Sequence, residues 1–238
     1  MKPTRRVAVL QSSYIPWKGY FDIINDVDTF IFYDDVQFTY QDWRSRNRII
    51  ANGSTHWLTV PTGSNIDRLI HEVSLPDPRW QKKHWRTISQ SYAKAPHFRD
   101  YRDLFEEIYL GHQWRNLSEL NQHLVTTIAR DLLGVKVDFR DSREYGAEGQ
   151  KLDRLLDLLA KAGTTRYVSG PAASSYIDPL RFQAAGIELV YKDYGGYPEY
   201  PQSHAPFRHD VSVLDLLFQT GVDAPAYIWG WRGLTAAG

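Results

Sequence analysis

Short apolar runs alternate with amphipathic stretches at the start of the chain, and that alternation predicts strands and helices in turn. Residues 6–10 and 29–33 are apolar runs of strand length. Between them a Ser-, Pro- and Gly-bearing loop leads into an amphipathic helix over 20–25. Pro16 and Trp17 open that helix, since proline suits a first turn. The second run closes on two acids, Asp34 and Asp35. Residues 48–51 and 56–61 flank Asn52-Gly53, which supplies the positive φ of a tight hairpin. Residues 62–78 read as a loop with one short strand near 70–75.

The pattern then changes. Residues 80–92, 101–110 and 117–133 all repeat with a period near 3.6, with Asn116 as an N-cap and Gly134 as a stop. Alternation returns with a strand at 135–139 and a strongly amphipathic helix at 151–162 ended by Gly163. A strand at 165–169 closes in Ser169-Gly170-Pro171. A short helix runs from Asp178-Pro179 to Gly186, and a strand spans 187–191. A Gly-, Pro- and Tyr-rich loop at 195–207 precedes a last helix at 211–220. These elements predict an α/β fold with a mixed, mostly parallel Rossmann-like sheet. Residues 80–133 are expected as an inserted helical subdomain, with 1–79 and 134–238 forming the α/β core domain.

Composition narrows the function classes. A chain of 238 residues can bury a sizeable core, and 42% apolar with 24% charged residues is a globular balance. The net charge of +0 gives no global attraction to nucleic acid or to an anionic membrane. With no cysteine, disulfides, thiolate nucleophiles and cysteine zinc sites are excluded. The eight histidines show no ligand spacing, so no metal site is expected. No segment approaches a membrane span, and the apolar run after the basic start is too short for a signal peptide. The expected location is therefore the cytoplasm. The sequence points to no particular cofactor and no oligomeric state.

In open α/β sheets, ligands sit outside the carboxyl ends of strands. The loop after the first strand therefore supplies the first binding candidates: Gln11, Tyr14, Trp17, Lys18, Gly19 and Tyr20. Its layout resembles the nucleotidyltransferase signature, in which His-x-Gly-His opens a helix on nucleotide phosphates. Here the positions read Trp17-Lys18-Gly19-Tyr20, without either histidine. Lys18 and free helical N–H groups could still hold an anion; the alternative is a structural turn with Trp17 buried. Asp34 and Asp35 are candidate catalytic acids, although neighbours on a strand point oppositely and at most one faces a given pocket. In Trp43-Arg44-Ser45-Arg46-Asn47-Arg48, the arginine forks suit carboxylate or phosphate, so Arg46, Asn47 and Arg48 join the binding set. The alternative is an internal network, with Arg46 or Arg48 in ion-pair reach of Asp34 or Asp35. Lys82, Lys83 and His84 read as a solvated basic face. Ser169 and Gly170 complete the binding set, and without a Gly-x-Ser-x-Gly elbow a hydrolase triad is set aside. His204, in the long late loop, is the candidate general base beside Asp34 and Asp35. Gln11, Tyr14, Asp34, Asn47 and His204 are expected to converge on one cleft.

Several spaced motifs carry a family resemblance. Gln11-x-x-Tyr14-x-Pro16-Trp17-x-Gly19-Tyr20-Phe21 comes first, then Phe32-x-Asp34-Asp35-Val36-Gln37-Phe38, Arg46-Asn47-Arg48-Ile49 and Trp57-Leu58-Thr59-Val60-Pro61. With Ser91-Tyr92, Ser169-Gly170, Gly186-Ile187, Tyr200-Pro201-Gln202 and Ser212-Val213-Leu214-Asp215, the chain resembles the WbqC-like family over nearly its whole length. Ser12-Ser13 departs from the proline that commonly follows the glutamine. The resemblance implies a bacterial biosynthetic role, tied to O-antigen or exopolysaccharide gene clusters or to specialised-metabolite pathways. It supplies no catalytic residues. The expected activity is a group-transfer enzyme, moving an acyl or aminoacyl group onto an amino group. Its partner would be a small-molecule substrate with a nucleotide-linked or carrier-linked donor. The alternatives are a nucleotidyltransferase-like ATP-dependent ligase and a non-catalytic sugar-nucleotide-binding protein.

Overall fold

A computed structural model describes residues 4–175 and 177–232. Five parallel strands form the central sheet: β1 (Arg6–Leu10), β2 (Thr29–Phe32), β5 (Asp138–Asp141), β6 (Arg166–Ser169) and β7 (Glu188–Tyr191), in the order β5-β2-β1-β6-β7. The chain builds outward from β1 to one edge and then returns to its other side. The switch point of this doubly wound arrangement lies between β1 and β6. Both faces are covered, so successive side chains of one strand enter different cores. Ala8, Phe30 and Phe32 pack with α1 (Lys18–Asn25) and α7 (Val213–Thr220). Val7, Val9 and Ile31 pack with α5 (Lys151–Lys161) and α6 (Pro179–Ala184).

A separate antiparallel hairpin, β3 (Arg46–Ala51) and β4 (Ser54–Thr59), follows β2. Its turn residues Asn52 and Gly53 have φ of 51° and 69°. Two consecutive positive φ values suit the right-handed twist of a tight hairpin and come readily to asparagine and glycine. Residues 80–132 carry only helical elements: α2 (Arg79–Tyr92), α3 (Phe98–Glu106) and α4 (Leu117–Thr127), the last two each extended by a π turn. Asn116 caps α4, its side chain accepting from the Glu119 N–H at 3.1 Å. The apolar sides of these helices share one cluster with Phe30, Phe32 and α7.

Two elements differ from expectation. Residues 70–75 hold no strand; Ile70–Glu72 form a single 3-10 turn, closed as the Glu72 carboxylate accepts from the Leu69 N–H at 2.7 Å. Val73 and Leu75 are buried by tertiary packing, so their spacing of two does not report a ladder. The strand expected at 135–139 begins at Asp138, because β2 offers its pairing edge to Asp138–Asp141 while Val135 and Val137 are used as buried links.

Candidate functional site

The ladder between β1 and β6 pairs Arg6 with Arg166 and Val7 with Tyr167, and is registered no further. β1 and β2, by contrast, stay paired through Leu10 and Phe32. The carboxyl ends of β1 and β6 therefore part, and a cleft of about 750 Å³ opens there. That size suits a small-molecule ligand. Of the expected binding residues, Gln11, Trp17, Tyr20, Asn47, Ser169 and Gly170 line it. Ser13, Trp43, Arg44 and Asp210 line it as well. Ser13 and Ser169 are only 8% and 4% exposed. Neither hydroxyl has a hydrogen-bond partner among the described residues. Both line the same cavity, where their oxygens are open to a ligand.

The loop from β1 to α1 is held from several sides. The Ser12 N–H donates to Asp34 Oδ1 at 2.8 Å. Asn47 Nδ2 donates to the carbonyls of Tyr14 and Ile15, at 3.1 and 3.0 Å. The Tyr20 hydroxyl donates to the Gln11 carbonyl at 2.9 Å, and the Tyr14 N–H donates to the Trp43 carbonyl at 2.9 Å. Within this frame Ile15 adopts φ of 37°. A β-branched residue at positive φ is strained and persists only where its surroundings over-determine it. Gly19 lets the Trp17 ring lie close to the first turn of α1, since a Cβ there would meet that ring at 2.2 Å.

The other sequence candidates lie apart from the cleft lining. Tyr14 is wholly buried beneath the loop. Asp34 is also fully buried; besides Ser12 it accepts from Ser118 Oγ and, at 3.1 Å, from Gln122 Nε2. Asp35 pairs with Arg154 and accepts from Ser142 Oγ at 2.5 Å. Lys18 turns away, its Nζ donating to the Pro198 carbonyl at 3.2 Å over the Tyr197 ring. Burial lowers its pKa to about 8. His204 is bonded through Nδ1 to the Pro206 carbonyl at 2.8 Å. Of the five residues expected to converge, Gln11 and Asn47 are the two that line the cleft. Arg48 pairs with Asp210 at 2.6 Å, in place of the Asp34 or Asp35 pairing considered from sequence. Burial pushes the Asp210 carboxyl up, but the bonded Arg208 and nearby Arg48 outweigh it and hold the group below the usual range.

His84 is also placed differently. Lys82 and Lys83 are exposed, whereas His84 is 4% exposed. Its Nε2 lies 3.1 Å from the Thr59 carbonyl, which can only accept, so Nε2 carries the proton. Nδ1 then accepts from the Tyr14 hydroxyl at 2.8 Å, and Tyr14 in turn accepts from Tyr109 at 2.6 Å. Burial lowers the His84 pKa to about 4. Sequence spacing gave α2 an exposed basic face; the wider buried face that includes His84 follows from its polar partners in three other segments.

Ser13 and Asp210 were not singled out as ligand contacts from sequence. Ser13 stood out only as part of a departure from the family pattern, and Asp210 is brought to the cleft by the pairing of residues 212 and 213 with Arg48 and Pro16. Among the described residues, no group of three or more His, Cys, Asp or Glu could hold a metal ion, and no helix is long and apolar enough to cross a membrane.

The class defined by these features is a doubly wound α/β protein with a polar and aromatic cleft at its topological switch point. The chain belongs to the WbqC-like protein family, whose model matches residues 11–227. It is similar to Rv1507c, an uncharacterized protein of Mycobacterium tuberculosis (strain ATCC 25618 / H37Rv), with 42% identity over 226 residues, covering 94% of this chain and 97% of that one. No solved structure matches the chain.

Proposed function

We propose that the chain is a group-transfer enzyme that moves an acyl or aminoacyl group onto an amino group, in bacterial surface polysaccharide or specialised-metabolite biosynthesis. The observation that carries the reading is the convergence on one cleft of two hydroxyls without a protein partner among the described residues, Ser13 and Ser169, with the Arg44 guanidinium and the Asp210 carboxylate. Such groups can hold a polar acceptor and an anionic donor side by side, which is what an effective-concentration mechanism of transfer requires. In this reading Gln11, Ser13, Arg44, Ser169 and Asp210 touch the substrates. Asp34 and Asn47 hold the loop that carries Gln11 and Ser13. The reading gives His204 no contact with substrate.

A nucleotidyltransferase-like ligase is favoured by the position of the cleft at the β1–α1 turn, where dinucleotide phosphates sit in related sheets. Against it stand the missing histidines and the Lys18 side chain, which is committed to Pro198.

Thermal-shift measurements with amino-sugar nucleotides, acyl carriers and ATP test the proposal. A true substrate at 100 times its Kd stabilises the fold by about 2.7 kcal/mol. Ser169→Ala and Arg44→Ala are expected to lose most of that shift while keeping the ligand-free melting temperature within a few degrees. If no member of the three classes stabilises the chain, the transfer reading falls. Stabilisation by ATP alone would favour the ligase.

A further inference from the structure

The outward face of the hairpin continues the cleft. Arg46 and Arg48 lie two apart on β3, and Trp57 is the cross-strand partner of Arg48. The three therefore share one face, while Asn47 and Leu58 are turned inward and buried. The Trp57 ring stands 5.6 Å from Trp43, which lines the cleft, with the planes 36° apart. Both indoles are partly open, Trp57 at 41% and Trp43 at 44% exposed. The Arg46 guanidinium lies 4.3 Å from the Trp57 ring centre, and Arg48 lies 5.1 Å from Trp57 and 5.5 Å from Trp43. Partly open indole planes edged by half-buried guanidiniums are a stacking surface for a flat, π-rich ring.

Charge at this rim is unbalanced. Arg44 pairs with Asp42, and Arg48 and Arg208 share Asp210. Arg46 has no ion pair among the described residues and reaches Asp42 only at longer range. Four guanidiniums thus share two carboxylates, in a chain whose net charge is +0. Arginine forks without a full complement of acids suit phosphate oxygens.

We propose that Trp43, Trp57 and Arg46 form a base-stacking platform for the nucleoside diphosphate group of a substrate. The phosphates lie against Arg44 at the rim, and the rest of the molecule enters the cleft. This deepens the transfer reading and rests on the cleft being the substrate site.

The test is isothermal titration of the full chain with UDP, dTDP, ADP, GDP and CDP, and with inorganic pyrophosphate as the base-free probe. At least one nucleotide is expected to bind tenfold or more tighter than pyrophosphate. Trp57→Ala should weaken that nucleotide about tenfold, the scale of losing one base–aromatic stack, and leave pyrophosphate within twofold. Trp57→Phe should retain most of the nucleotide affinity, and Trp43→Leu provides a second loss variant should Trp57→Ala fold poorly. If nucleotides bind no tighter than pyrophosphate, or the tryptophan variants bind them unchanged, the platform is overturned while the cleft remains an anion site. If neither pyrophosphate nor any nucleotide binds, the anionic cleft is overturned and the platform with it.

Discussion

The Tyr14 hydroxyl donates to Nδ1 of His84 across 2.8 Å, joining the loop after β1 to the helix α2 inside the core. The bond needs a neutral imidazole, and burial keeps it neutral by lowering the pKa from 6.5 to about 4. A depressed folded-state pKa stabilises the fold above the unfolded value, and that contribution is lost as pH falls through the folded value. The window here runs from pH 6.5 down to about 4, and the loss amounts to roughly 3 kcal/mol at about 1.36 kcal/mol per unit. His84→Gln can still accept from Tyr14 and donate to Thr59 but cannot titrate. Urea unfolding across this window should show a shallower pH dependence for His84→Gln than for the natural chain. Equal slopes would mean that His84 does not carry the acid sensitivity.

Asn47 is expected to be among the least replaceable residues of the hairpin. Asn47→Ala leaves two buried carbonyls, those of Tyr14 and Ile15, without a donor and removes the acceptor of the Arg48 N–H at 2.8 Å. A cost of about 2–4 kcal/mol follows from unmade buried bonds. Asn47→Asp keeps the acceptor for Arg48 but sets a carboxyl against two carbonyl oxygens. At neutral pH it should be no more stable than Asn47→Ala, and chemical denaturation distinguishes the two orders.

Asp22 is a second buried anchor. It is fully buried on α1, accepts from Lys192 Nζ at 2.7 Å and from the Tyr197 hydroxyl at 2.5 Å, and is held by both terminal nitrogens of Arg232 at 2.8 and 2.6 Å. Removing one partner of a buried ion cluster costs about 3–5 kcal/mol, here toward the lower end because Lys192 keeps Asp26 at 2.6 Å. Asp22→Asn should lower stability by that order and expose the segment near residue 232 to protease. Arg232→Ala, at a site one-third open to solvent, should cost less. Limited proteolysis with mass mapping gives the comparison.

Gly19→Ala tests the tie between the helix start and the cleft wall. Alanine improves helix propensity by up to about 1 kcal/mol, so stability should change little. The added Cβ must displace the Trp17 ring, which lines the cleft and meets Tyr194 edge-on at 5.1 Å. Ligand affinity and tryptophan emission should therefore shift although the melting temperature does not. Unchanged emission would show that Trp17 tolerates the methyl group in place.

Local patterns made most of the architecture readable. The runs that became β1 and β2, the Asn52-Gly53 turn and the Asn116 cap each act within a few residues, and their chemistry is visible in sequence. The π turns Glu107–Gly111 and Ile128–Leu132 depend on a shift in hydrogen-bond register that apolar spacing does not record. At the site, the strand-end argument led to Gln11, Trp17 and Ser169, because strand direction determines which loops share an end of the sheet. It led equally to Asp34, whose partners Ser118 and Gln122 lie on a helix far along the chain. Asp210 stayed hidden for the same reason: its position depends on pairings between segments more than 150 residues apart, such as Arg48 with Asp210.

The return of the chain to the far side of β1 also orders events during synthesis. Gln11 and Ser13 leave the ribosome first, but the opposite wall at Ser169 comes much later, and the hydrogen bonds from Ser212 to Arg48 and from Val213 to Pro16 close the arrangement last. A nascent chain that stops before β6 has only one bank of the cleft. Its hydrophobic strand edge remains unpaired until the C-terminal part arrives, so the growing polypeptide carries an aggregation-prone surface for most of its translation. Both walls of the cleft are thus present together only once β6 and residues 210–213 have joined the loop after β1.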